Sequence, residues 1–335
     1  MLPTNVQSQQ SQQSQQSRQS QQSQRIEGSV SVVIPTFDRA RLLPRALDSV
    51  LAQTRPANEV LVVDDGSTDG TAELLAGRYP GVRCIRQPRR GVSAARNRGV
   101  RAAEGRWIAF LDSDDAWLPH KLARQLAALA REPGCRICHS EEIWMRRGRR
   151  VNPRRIHAKG GGWIFADCLP RCVISPSAVM VERTLLDELG GFDESLPAGE
   201  DYDLWLRVCA ANPVLFVDEA LTVKHGGHDD QLSRLHWGMD RFRIRALEKI
   251  LASGVLRPAD RAAALAVLAA KLEVYLAGAR KRGRLEEVED YRRRLRLLAE
   301  DGVDPEGTPR PLTKGRVALL APPPPPPRGW EFVLG

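Results

Sequence analysis

Three carboxylates, Asp112, Asp114 and Asp115, fall within four residues at the end of an apolar run, Trp107–Leu111. A buried strand that runs into clustered acids is costly unless their repulsion and desolvation are offset. A hard divalent cation with oxygen ligands offsets both. Acids capping the next helix are the other reading of the same residues. A second cluster, Glu200-Asp201-Tyr202-Asp203, opens a stretch with helical spacing through Leu204, Trp205, Leu206 and Val208. There Glu200 and Asp201 either complement the positive end of the helix dipole or supply a general base. Asp64 and Asp65 begin a third acidic loop, Asp64-Asp65-Gly66-Ser67-Thr68-Asp69-Gly70-Thr71, rich in residues that cap helices. His225-Gly226-Gly227-His228 suits a metal ligand, a phosphate contact or a plain surface loop equally well.

The elements that must position these groups alternate. Ser29–Pro35 is a β-branched run that reads as a first strand. Arg39 to Gln53 then spaces Leu42, Leu43, Ala46, Leu47, Val50 and Leu51 along one helical face. Glu59–Asp64 and Val82–Arg86 read as strands two and three, with a short helix between them. Gly91-Val92-Ser93 opens a helix that carries Arg96 and Asn97, and Trp107–Leu111 is the fourth strand. Backbone N–H groups free at such a helix start suit an anionic or polar ligand. Continuous apolar strands alternating with helices argue for a mostly parallel sheet covered on both faces. In such sheets ligands bind beyond the carboxyl ends of the strands. Asp38, Asp64/Asp65 and Asp112/Asp114/Asp115 all lie at such ends, which favours a site over a simple cap.

Further along, Pro119–Ala130 reads as a helix, Arg136–Trp144 as a strand and Arg146–Lys159 as a basic loop. Gly160-Gly161-Gly162 reads as a flexible loop. Strands are expected at Ser177–Val181 and Val214–Val217, with a helix over Thr184–Leu189. No G-x-G-x-x-G follows the first strand and no G-x-x-x-x-G-K-[ST] occurs, which argues against a dinucleotide dehydrogenase or a P-loop NTPase.

The chain has 335 residues, enough for one large α/β domain and a smaller part. Its net charge is +9, and residues 236–300 hold 15 Lys/Arg against 9 Asp/Glu, or +6. That excess suits a solvated helical face or an anionic membrane surface, and no nucleic-acid motif accompanies it. No apolar run approaches the ~20 residues of a membrane span, and the N-terminus has no apolar signal core. These features point to a soluble cytoplasmic protein with reduced cysteines. Cys135-Arg-Ile-Cys138-His139 matches a haem-attachment pattern, and Cys135, Cys138, Cys168 and Cys172 could form a zinc set. A strand with small apolar thiols is the favoured reading. Four segments are expected: a disordered Gln/Ser-rich tail over 1–28, an α/β domain over 29–235, a helical extension over 236–300 and a Pro-rich disordered tail over 301–335.

Five motifs, in order, resemble those of family 2 glycosyltransferases. They are Val33-Ile-Pro-Thr-Phe-Asp-Arg, Val63-Asp-Asp-Gly-Ser-Thr-Asp-Gly-Thr, Gly91-Val-Ser-Ala-Ala-Arg-Asn, Phe110-Leu-Asp-Ser-Asp-Asp and Gly199-Glu-Asp-Tyr-Asp-Leu-Trp. The resemblance implies a GT-A fold and an inverting transfer of a sugar from a nucleotide-diphosphate donor to a glycan or lipid-linked acceptor. It places Pro35 and Thr36 near the donor base, with Asp65 accepting from it and Asp64 beside it. It makes Asp112-Ser113-Asp114 the D-x-D element, Asp114 binding Mn²⁺ or Mg²⁺ and Asp112 holding sugar or ribose. Asp201 matches the family's base, with Glu200 beside it. His225 falls, more loosely, where some relatives place a metal or phosphate ligand. Arg96 and Asn97 border the donor site. The resemblance further suggests cell-surface polysaccharide or lipopolysaccharide synthesis, with peripheral attachment at the inner membrane face. A sugar-phosphate nucleotidyltransferase and a non-catalytic nucleotide-sugar-binding scaffold are the competing readings. Thr36-Phe37-Asp38-Arg39 in place of a Gly-rich basic loop argues against the first, and the intact Asp65, Asp114 and Asp201 against the second.

Overall fold

A computed structural model describes residues 28–152, 154–227 and 238–301. The Gln/Ser tract, the Pro-rich tail and His228 lie outside the described residues. The chain divides into two compact units, meeting between Met239 and Asp240.

The first unit is built on one nine-stranded sheet. β1 (Val30–Thr36), β2 (Glu59–Asp64), β3 (Arg83–Arg86) and β4 (Trp107–Phe110) come first, linked by α1 (Leu43–Leu51), α2 (Thr71–Arg78) and α3 (Val92–Ala102). These four strands run parallel, in the order β3-β2-β1-β4. β1 is buried at every position, as its unbroken β-branched run requires. On one face α1 packs Leu43, Ala46, Leu47 and Val50 into a core with Val30, Val32, Ile34 and Val62. On the other, α3 comes so close that a Cβ on Gly99 would lie 2.3 Å from Val33 Cγ1.

The remaining strands are β5 (Ala116–Trp117), β6 (Ile137–Arg146), β7 (Arg149–Val151), β8 (Val179–Glu182) and β9 (Leu215–Gly226). Between them lie α4 (Lys121–Arg131), α5 (Phe165–Cys168), α6 (Arg183–Glu188) and α7 (Glu200–Ala211). β8 joins β4 antiparallel, β6 joins β8 antiparallel, and β9 runs parallel to β6. The sheet is therefore mixed: β5, β7 and β8 run against the other six strands, which share one direction. Two expected segments change character. The basic loop over 146–159 holds β7, which folds back on β6. Val214–Val217 is the start of one long strand, β9, with register shifts opposite Ser140–Glu142. The three glycines are pinned as well: Gly162 bridges Val214, and a Cβ on Gly161 would meet the Val214 carbonyl oxygen at 2.9 Å.

The second unit holds α8 (Asp240–Ala252), α9 (Pro258–Lys281) and α10 (Leu285–Asp301), broken at Ser253-Gly254 and Arg282-Gly283 as the sequence suggests. α9 corrects one expectation. It carries an 18-residue window of mean hydropathy 1.6, so by length and composition alone it could span a membrane. A core helix passes the same test, and α9 buries Ala264, Leu268, Leu272, Tyr275, Leu276 and Ala279 at helical spacing.

All six cysteines are free thiols. Cys138 is a core residue of β6 and Cys84 is exposed. Among the described residues, no three Cys, His, Asp or Glu side chains converge to hold a metal. The zinc set thus has no structural counterpart there, and Cys138 and His139 are both buried in β6.

Candidate active site

The carboxyl ends of β1, β2 and β4, the start of α3 and the start of α7 surround one cavity of about 590 Å³. Of the residues singled out in the sequence, Pro35, Thr36, Asp65, Arg96, Asp112, Asp114, Glu200 and Asp201 line it. Asp64 and His225 are not among its lining residues.

The β1 and β2 loops are laced together. Asp38 Oδ1 accepts from the Thr68 N–H at 2.8 Å, and the Asp38 N–H donates to Ser67 Oγ at 2.9 Å. Asp38 adopts φ 48°, a left-handed turn that Asp tolerates better than most residues. Asp64 is wholly buried and accepts from the Ser67 N–H at 2.8 Å, so it shapes the loop from beneath. Asp65 accepts from Gln87 Nε2 (2.8 Å), the Arg90 N–H (2.9 Å) and the Gly91 N–H (2.7 Å). Those three donors hold its carboxylate against the start of α3. Thr36 Oγ1 is buried on the cavity wall and has no hydrogen-bond partner among the described residues. Such a group is costly unless something docks against it.

Arg96 links the two acidic clusters. From α3 its guanidinium donates to Asp112 Oδ1 and to Glu200 Oε1, each at 2.7 Å, with Phe192 against its face. Burial raises the pKa of Glu200, the Arg96 charge opposes that rise, and the Asp201 charge adds to it. Glu200 is thereby a brace that fixes the first turn of α7 and leaves Asp201 beside it facing the cavity. Asn97 serves the structure: its amide brackets Phe192 through the main-chain N–H and O, both at 2.8 Å.

The three acids after β4 separate by environment. Asp112 and Asp114 remain partly exposed, at 28% and 19% of their side chains. Asp114 faces Arg39 at 3.3 Å, while Arg45 donates to its main-chain oxygen. Asp115 points the other way and is buried. It accepts from Ser177 Oγ at 2.6 Å and from the His225 N–H at 2.8 Å. Burial pushes its carboxyl up to about 8; Lys224 opposes that, while Asp112 and Asp114 add to it. Asp115 thus ties the acidic loop to the end of β9 instead of serving the cavity.

Sequence reasoning missed Lys224, Ser177 and Arg39. Lys224 lines the cavity next to His225. Burial disfavours its charge, but Glu142, Asp115, Asp112 and Asp201 outweigh that and hold its ammonium protonated beyond the usual lysine range. Ser177 donates to Asp115 and accepts from the Asp112 N–H at 3.1 Å, while its carbonyl takes Trp117 Nε1 at 2.7 Å. Arg39 follows Asp38 in a motif already noticed, so a cation beside the acids was the available signal. Ser177 and Lys224 carried none.

Known proteins resemble this chain in sequence and fold. Residues 31–187 match the family model described as glycosyl transferase family 2. The chain is 30% identical over 199 residues to the Escherichia coli enzyme UDP-Glc:alpha-D-GlcNAc-diphosphoundecaprenol beta-1,3-glucosyltransferase WfgD, covering 55% of this chain and 71% of that one. It is 33% identical over 196 residues to an uncharacterized glycosyltransferase of Rickettsia felis, covering 58% of this chain. The chain spans only about a third, 32%, of that Rickettsia relative's length. Among solved structures, S. aureus TarS in complex with UDP superposes with a TM-score of 0.58 at 20% identity, covering 76% of this chain and 74% of that one. The chain belongs to glycosyltransferase family 2, and its mixed sheet flanked by helices is the GT-A fold.

Proposed function

We propose that the chain is an inverting glycosyltransferase that moves a sugar from a nucleotide-diphosphate donor to a hydroxyl of a glycan or lipid-linked acceptor. One observation carries this reading: Thr36, Asp65, Asp112, Asp114 and Asp201 line a single cavity, although they come from four separate stretches of the chain. The β1 and β2 loops and the start of α3 bind the nucleoside, with Thr36 Oγ1 and Asp65 as its polar contacts. Asp112 and Lys224 meet the ribose and diphosphate. The activity that WfgD is named for, with a UDP-Glc donor and a diphosphoundecaprenol acceptor, supports the lipid-linked class and a role in envelope glycan synthesis. Such acceptors also suit peripheral attachment at the inner membrane face.

The residues fit a divalent metal. Asp112 and Asp114 offer hard oxygen donors on the cavity wall, and no complete protein cage is present among the described residues. Mg²⁺ and Mn²⁺ sites of this kind use one or two carboxylates and complete their shells with substrate phosphates and water. Asp114 would hold the ion, with Asp112 beside it; His225 at the end of β9 is the third candidate. The chemistry such an ion supplies when bound is Lewis-acid neutralisation of charge on the leaving nucleoside diphosphate. The chain's own groups do the rest. Lys224 and Arg39 add positive charge at the acidic loop. Asp201 takes the proton from the acceptor hydroxyl as it attacks the anomeric carbon from the face opposite the leaving group. A single displacement of that kind inverts the centre.

A panel of UDP-, GDP- and dTDP-sugars, with and without Mn²⁺, tests the reading. One donor is expected to turn over in a metal-dependent way, and Asp114→Ala is expected to abolish metal-dependent donor binding by calorimetry. Undiminished, EDTA-insensitive binding in that variant refutes the role given to Asp114.

A further inference from the structure

Cys172 stands on the loop between α5 and β8, outside the five glycosyltransferase motifs. Its Sγ lies 3.3 Å from Asp201 Oδ2 and 3.1 Å from the Ile174 carbonyl oxygen. The other Asp201 oxygen, Oδ1, accepts from the Tyr202 N–H at 2.7 Å. Among the described residues, no second side chain hydrogen-bonds the Asp201 carboxylate. A thiol carries one proton, so it serves one of its two acceptors at a time. An ionised carboxylate is the stronger acceptor, so the proton faces Asp201 while Asp201 is charged. Burial, and then the Asp201 charge, push the thiol well above its usual range. Cys172 therefore keeps its proton and acts as a donor rather than a nucleophile.

We propose that Cys172 is the positioning residue of the base, a one-proton rotor that satisfies Asp201 in both of its protonation states. The proposal rests on reading Asp201 as the base. With Asp201 ionised, the S–H donates to Oδ2 and fixes the carboxylate toward the cavity. When the acceptor hydroxyl gives its proton to Asp201, the thiol proton turns to the Ile174 carbonyl. The sulfur lone pair then faces the new carboxylic O–H. The S–H bond stays intact throughout, and only hydrogen bonds are exchanged. A thiol is a weak donor, so it orients the carboxylate while competing little for the proton that Asp201 must take. Alanine can do neither, whereas serine, also a one-proton rotor, can do both.

Two measurements on the full chain test this. The first is the infrared S–H stretch of Cys172, isolated by subtracting the C172S spectrum from that of the wild type. Repeating the subtraction in an Asp201→Ala background is expected to move the band to higher frequency, and an unmoved band overturns the contact. The second is turnover of whichever panel donor the wild type uses. C172A is expected to lower kcat by about tenfold, the worth of one hydrogen bond made during reaction, with the donor KM essentially unchanged. C172S is expected to return kcat to within about threefold of the wild type, since its hydroxyl makes the same pair of bonds. Wild-type kcat in C172A, or C172S as slow as C172A, overturns the rotor. Asp201→Asn separates the two levels. If it transfers at the wild-type rate, the base assignment fails. If it is inactive while C172A is unimpaired, the base stands and the rotor fails.

Discussion

The two halves of the sheet are built by different rules. From β1 to β4 every pairing is parallel, every crossover is a helix, and the chemistry sits on the loop directly after each strand. From β5 to β9 pairings of both senses mix, β6 and β9 are long and partly polar, and groups from distant positions meet. β6, for example, reads Ile-Cys-His-Ser-Glu-Glu-Ile-Trp-Met-Arg. The β1–β4 half is a frame whose candidate site residues can be read locally. The other half has to be folded before its function exists: Ser177, Cys172 and Lys224 become meaningful only through Asp115, Asp201 and the cavity.

The largest expected effect comes from cutting the link between the halves. Arg96→Met removes the guanidinium that holds both Asp112 and Glu200 and leaves the buried Glu200 carboxylate, and the partly exposed Asp112, without their shared cation. Breaking a buried ion pair of this kind costs roughly 3–5 kcal/mol. Tm is expected to fall by on the order of 10 °C in thermal unfolding, with transfer lost. Arg96→Lys restores the charge without the two-pronged fork and is expected to lie in between. Equal Tm in Arg96→Met and the wild type breaks the idea that the halves are braced here.

A smaller loss is expected from Ser177→Ala. It removes the donor to buried Asp115 and the acceptor of the Asp112 N–H, a cost of about 1–3 kcal/mol. Because the acidic loop is what shifts, the donor KM is expected to rise more than kcat falls. The reverse pattern in steady-state kinetics would place Ser177 with the base and not with the donor loop.

An effect on stability alone lies in the core beneath. Lys121 is wholly buried in α4, donating to Gln125 Oε1 at 2.7 Å and lying over the Trp117 ring at 4.1 Å. Burial pulls its pKa down to about 7 from 10.5. Between those values the unfolded chain holds a proton that the folded one has lost, so Lys121 makes stability rise with pH across roughly 7 to 10.5. Below that window its buried charge weakens the fold in full. Lys121→Met is expected to flatten that slope in urea unfolding, and an unchanged slope removes Lys121 as its source.

The same contrast explains what the sequence could and could not disclose. β2, Glu59–Asp64, is legible to the residue because an unbroken apolar run ends in its own functional acids. The N-terminal turn of α7 is legible because Gly199, Glu200 and Asp201 announce it. The division of labour among Asp112, Asp114 and Asp115 is not, since it depends on Ser177 and His225 arriving from far along the chain. Glu200 illustrates the same limit. Beside Asp201 it looks equally fit for acid–base work, and only the Arg96 fork across the site makes it a brace. The length of β9 was hidden for a related reason: its polar middle, Asp218-Glu219, reads as a loop, whereas β9 bulges there and resumes its pairing with β6 at Ala220.

At the centre of the proposed function stands a division of roles, in which one acidic cluster binds the donor and the other does the proton transfer. Asp201→Asn probes that division without intermediaries, with donor binding measured by calorimetry and transfer measured on the same preparation. Donor affinity is expected within about threefold of the wild type and transfer reduced by at least about a hundredfold, since removing a general base costs 10²–10⁴. Parallel loss of binding and transfer, or transfer at the wild-type rate, contradicts it.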